Sequence, residues 1–173
     1  MSLVTMKRES FYSLGDEKLG SACMEPTFMQ IRGKSPAVKA EVISQLTGGQ
    51  QALCMFRVMY GHSYKSAAEY YAWISYMLSI PGYWDRMMEG VRFFDESGIV
   101  ALLEETRGQL EARNSRLKVN WGDATLMDLE RDDELMQMIK SLFDRFEQVA
   151  PMTHSIIAKY IRSHPEEFVL LAD

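Results

Sequence analysis

TGGQQALCMFRVMYGHSYKSAAEYYAWISYMLSI, residues 47–80, carries apolar side chains on nearly every face that a helix would present. A helix that is apolar all round belongs inside a fold, so the stretch predicts two central helices with the rest of the chain packed about them. Thr47 with Gln50 three residues on has the spacing of a capping box, and so has Ser66 with Glu69. The first helix is expected over residues 48–60 and the second over 66–79. Gly61 is placed to end the first as the glycine past a helix terminus, and Pro81-Gly82 to stop the second. Gly61, His62 and Ser63 then read as a short polar hinge.

Outward from this pair, Ser35-Pro36 starts a helix, serine as cap and proline at the first helical position. Trp84, Met87, Met88, Val91 and Phe94 mark another, and Ile99, Leu102, Leu103, Thr106 and Leu110 the next, each at helical spacing. Residues 113–122 are polar and read as the longest internal loop. The longest helical pattern follows, Leu126 to Val149, interrupted by the charged patch Glu130–Glu134 and broken by Pro151. Thr153–Ser163 and a short turn from Pro165 complete the chain. Residues 1–34 keep neither a 3.6 nor a 2 period and read as an N-terminal arm whose aromatics lie over the body. No strand is expected. The prediction is all-α: a single-domain helical bundle of six to eight helices over 35–173, around the central apolar pair.

The bulk numbers agree with one soluble domain: 173 residues, 47% hydrophobic and 25% charged. No apolar run approaches the ~20 residues that span a bilayer, and the N-terminus lacks the apolar core of a secretory signal. Cys23 and Cys54 sit in unlike contexts, as free thiols of a reducing compartment do. A cytoplasmic location is the expectation. The net charge of −5 is uneven, +1 over residues 1–122 and −6 over 123–173. Nucleic-acid binding draws most of its affinity from neutralised phosphates, so this balance argues against it. A protein partner, basic where it meets the C-terminal third, fits better, and a second copy of the chain is a further candidate.

Chemistry-bearing residues are sparse. His62, His154 and His164 stand without the spacing of a zinc or di-iron site, so neither metal nor cofactor is expected. Cys54, inside an apolar helix, is expected to have a raised thiol pKa and low reactivity. Arg57 and Glu69, the lone charges within the two central helices, face either each other as a buried pair or solvent. Tyr60, His62, Glu69 and Trp73 are the candidate lining of a small-molecule pocket between the central helices. Asp128, Asp132, Asp133 and Glu134 are the candidate acidic face for a partner.

Leu46-Thr-Gly-Gly-Gln-Gln-Ala-Leu-Cys-Met-Phe56, Ser66-Ala-Ala-Glu-Tyr-Tyr71, Gly90-Val-Arg-Phe-Phe94 and Leu102-Leu-Glu-Glu105 together resemble the all-helical family that includes a bacterial DNA-mimic protein. The resemblance covers residues 46–110. Where that family carries an Asn-Gly-Gly turn, this chain has Ser63-Tyr64-Lys65-Ser66. It implies an acidic helical protein that acts through a protein partner. The uneven charge and the lack of a catalytic constellation in the sequence make the expected function a non-enzymatic interaction or regulatory module with an acidic C-terminal face, with a small-molecule binder or enzyme as the alternative.

Overall fold

The computed structural model describes residues 3–95 and 97–173. In order they form β1 (Val4–Lys7), α1 (Arg8–Ser13), α2 (Asp16–Ile31), α3 (Pro36–Ser44), α4 (Gly48–Ser63), α5 (Ala67–Ser79), α6 (Tyr83–Arg92), α7 (Ser97–Leu117), α8 (Asp128–Arg131), α9 (Asp133–Ser163), α10 (Pro165–Phe168) and β2 (Val169–Ala172). The all-α expectation holds. Ten α-helices are present among the described residues, and seven of them are nine residues or longer.

The central pair is α4 and α5, and its caps form as the sequence predicts. Thr47 Oγ1 accepts from the Gln50 amide at 3.2 Å while Gln50 Oε1 accepts from the Thr47 amide at 3.0 Å. Ser66 Oγ accepts from the Glu69 amide at 3.2 Å. The hinge is displaced. Gly61 does not end α4, because its backbone stays right-handed and the Tyr64 amide still donates to the Tyr60 carbonyl at 2.9 Å. Gly61, His62 and Ser63 are therefore the last helical turn of α4, and the connection is Tyr64–Ser66. Likewise α6 begins after Pro81, capped by Gly82 in the left-handed region at φ +72°, a conformation that favours glycine. Helices α4 and α6 approach closely at Gly90, where an added Cβ would lie 3.0 Å from Met55 Cβ and 3.4 Å from Ala52 Cα.

Residues 3–34 are not an arm. Helix α2 packs on α9 and α4 and buries Leu19, Cys23, Met24 and Ile31. Gly20 and Pro26 look like breakers in sequence, yet Gly20 lies against Leu53 and Arg57 and Pro26 sits inside the helix. A proline forfeits one backbone bond, and four buried apolar side chains at ~1.5–3 kcal/mol each outweigh that loss. The same balance corrects the break expected at Pro151. That residue is exposed on α9, and the helix runs through it because Ala150, Thr153, His154, Ile157 and Ile161 continue the buried stripe. The charged patch does interrupt the pattern: Asp132 Oδ1 accepts from the Leu135 amide at 2.9 Å and starts α9 anew after α8.

Two short strands went unforeseen. β1 pairs with β2 in parallel, Val4 opposite Val169 through Lys7 opposite Ala172. Four residues give no periodic signal, and their pairing is set by tertiary context. The C-terminal segment is also fastened to α4. The Gly49 amide donates to Glu167 Oε1 at 3.2 Å, Gln50 Nε2 to the Glu167 carbonyl at 2.6 Å, and the Tyr160 hydroxyl to Glu167 Oε2 at 3.3 Å. A Cβ on Gly49 would stand 2.6 Å from Glu167 Oε2, so glycine lets this carboxylate reach the positive end of α4.

Phe56, Met59, Tyr70, Ile74, Phe143 and Phe146 meet in the core among α4, α5 and α9. The Thr106 hydroxyl donates to the Leu102 carbonyl at 2.8 Å, which leaves Tyr70 to donate to Thr106 Oγ1 at 2.7 Å. A buried phenol is thereby satisfied.

Candidate functional site

Tyr60 and His62 are two residues apart on α4, so their side chains diverge by ~200°. His62 lies flat on Trp73 of α5, ring centres 3.9 Å apart and planes at 17°. Trp73 continues to Tyr76 at 5.0 Å, and Tyr83 stands edge-on to both at 6.5 and 6.1 Å. The result is a ladder of four rings across α4, α5 and α6. Tyr76 is 46% exposed, and the Trp73 indole Nε1 is buried with no acceptor among the described residues. Burial and the Lys65 charge push the His62 pKa down, against a smaller upward pull from Glu69, so the imidazole is neutral at pH 7.

Tyr60 belongs to the opposite face. It stacks on Tyr64 at 4.6 Å and takes the edge of His154 at 4.4 Å. The expected pocket of Tyr60, His62, Glu69 and Trp73 is thus not assembled: His62 and Trp73 touch, Glu69 is half-buried at the start of α5 with its amide capped, and Tyr60 is elsewhere. Tyr76 and Tyr83 stand outside the four residues expected to line that pocket. The i,i+3 spacing of Trp73 and Tyr76 carried the signal for the first, whereas the place of Tyr83 depends on how α6 folds back.

Around Tyr60 lie the buried Arg57 and His154, with the exposed Glu17 at their edge. Arg57 is paired with neither Glu69 nor solvent. Its side chain is 14% exposed, its Nη1 stands 3.8 Å from Glu17 of α2, and its guanidinium carbon is 5.4 Å from the centre of the Tyr60 ring. Arg57 Nε and Nη1, and His154 Nε2, are buried without hydrogen-bond partners among the described residues. Burial lowers the Arg57 pKa and takes that of His154 down to about 4, Glu17 raising both. A charge desolvated this far and held by one long contact contributes little net stability. Arg57→Met is expected to leave urea stability within ~1 kcal/mol of wild type or to raise it. A loss of more than ~3 kcal/mol would mean that the guanidinium is well paired.

The four acidic candidates divide. Asp128 accepts from the Tyr71 hydroxyl at 2.9 Å and the Thr125 hydroxyl at 2.6 Å. Burial pushes its carboxyl up, but Thr125, Tyr71 and Arg113 together hold it below the usual range. Asp132 caps α9 and pairs with Arg113 at 2.6 Å, which holds its pKa down. Glu134 pairs with Arg116 at 2.9 Å, and Asp133 is exposed. With Arg145–Glu105 at 2.6 Å and Arg92–Glu104, these pairs clamp α7 to its neighbours and neutralise much of the acidic face. Asp128 and Asp132 are structural.

Cys23 and Cys54 are both unpaired and buried, and burial pushes their thiols up to about 12 and about 11. Cys23 lies within α2 and Cys54 within α4, so their contexts are alike. Among the described residues no helix is long and apolar enough to cross a membrane, and no group of three His, Cys, Asp or Glu is placed to hold a metal. No family model, curated protein or solved structure matches the chain.

Proposed function

We propose that the protein is a non-enzymatic cytoplasmic binding module that docks a protein partner on the ring ladder His62, Trp73, Tyr76 and Tyr83. The observation that carries the reading is the ladder itself, four rings in unbroken contact with Tyr76 nearly half exposed. Tryptophan and tyrosine offer large contact area with few torsions to freeze, and they dominate the energetics of protein interfaces. The resemblance of residues 46–110 to a family acting through protein partners supports the same class of function. The unpaired thiols accord with a reducing compartment. The acidic face is the weaker docking surface, because a basic partner would compete with Arg113 and Arg116 for carboxylates they already hold.

Affinity capture from lysate at low and high salt, with wild type and Trp73→Ala side by side, tests the proposal. A ring-docked partner stays on wild type in high salt, since contacts without charge are not screened, and is lost from Trp73→Ala. A partner released by salt yet retained by Trp73→Ala would overturn the ladder in favour of the acidic face.

A further inference from the structure

The ladder begins with a ring that can take up a proton near neutral pH. His62 is exposed in the last turn of α4, and Trp73 closes one face of its imidazole at 3.9 Å and 17°. An indole does not titrate and phenols do so near ~10. His62 is therefore the one ring of the four whose charge changes between about pH 5 and pH 8.

Few groups face it. Lys65 follows on the connection to α5, Glu69 stands in the first turn of α5, and α6 brings the ring of Tyr83 edge-on to Trp73. The C-terminal end of α4 favours an imidazolium, as Glu69 does. Burial and Lys65 oppose it and set the balance below the ordinary imidazole value. Neither ring nitrogen of His62 has a hydrogen-bond partner among the described residues, and neither is sealed from solvent. The charged form is thus solvated by water alone.

A partner that lays uncharged side chains on the ladder strips that water away. An ion buried without a replacement partner is costly, so the docked state holds the proton less tightly than the free one. Proton and partner then exclude each other by linkage. We infer, resting on the ring docking proposed above, that His62 makes docking acid-sensitive: the neutral imidazole admits an apolar protein surface and the imidazolium releases it. Below the titration point of free His62, affinity falls tenfold for each unit of pH. The stack itself survives protonation, because an indole face attracts a cation. The switch acts on docking and not on the fold.

Capture from lysate in high salt at about pH 7.5 and about pH 5.5 tests this. The variants are His62→Gln and His154→Gln, and the proteins followed are those that Trp73→Ala loses. For wild type the bound amount should fall several-fold in acid. The ceiling is about tenfold, since the lower pH is one unit below the ordinary imidazole value of ~6.5. Whatever His62→Gln binds at the higher pH, its ratio between the two should be near one. His154→Gln should release as wild type does, which separates the ladder from acid destabilisation of the core. Equal release from wild type and His62→Gln, release abolished by His154→Gln instead, or tighter capture in acid, as a carboxylate-bearing partner would give, would each overturn the switch and leave ring docking standing. Absence of any Trp73-dependent capture at the higher pH would overturn ring docking and the switch together.

Discussion

Phe146→Ala is expected to remove ~3–5 kcal/mol of folding stability. The ring is fully buried, and its centre lies 5.0 Å from that of Tyr70, 6.2 Å from Tyr60, 6.3 Å from Tyr64 and 6.4 Å from Phe143. Truncation loses the transfer free energy of the ring, its aromatic pairings at ~0.5–1.5 kcal/mol each, and leaves a cavity. The cavity cannot collapse easily, because Tyr70 is tethered to Thr106 and Tyr60 is wedged between Tyr64 and His154. A domain of this size holds ~5–15 kcal/mol in total, so the variant should unfold at a much lower urea midpoint with a similar slope. A loss below ~1.5 kcal/mol would show that α4, α5 and α9 do not close around this ring.

The second large effect is a dependence on pH. His154 is 5% exposed, and burial lowers its pKa to about 4, with Arg57 adding to the shift and Glu17 and Asp16 opposing it. In the unfolded chain an imidazole titrates near ~6.5. The unfolded state therefore takes up the proton first, and the folded state loses stability as pH falls from ~6.5 to about 4. Across that window the loss approaches ~3 kcal/mol. Urea unfolding of wild type and His154→Gln between pH 7 and pH 4 isolates the effect, since every other titrating group is common to both. The wild type should lose ~3 kcal/mol more than the variant. Parallel pH profiles would show that His154 is not desolvated in the folded chain.

What could be read from sequence followed from how local each signal is. The caps at Thr47, Ser66 and Ser35 depend on three or four consecutive residues, and all three form. The apolar character of α4 and α5 correctly placed them at the centre. Readings failed where tertiary packing overrides a local breaker. Gly61, Pro26 and Pro151 lie inside helices because the buried faces on either side outweigh one weak residue. α2 was hidden for the same reason. At the candidate site, the richness in Tyr, Trp and His was visible, but the angular position of each ring along α4 separates Tyr60 from His62.

The small sheet has a mechanical meaning. Because β1 and β2 run parallel, with Val4 opposite Val169 and Lys7 opposite Ala172, a tension entering at Val4 and leaving at Ala172 pulls the strands along their length in opposite directions. Their hydrogen bonds are then loaded together in shear and cannot be unzipped one by one. Glu167, anchored on Gly49 and Gln50 immediately before β2, backs this clasp with a second fastening in series. Four residue pairs too few to announce themselves in the sequence thus stand as the first barrier that a stretched chain must break before any helix is unwound.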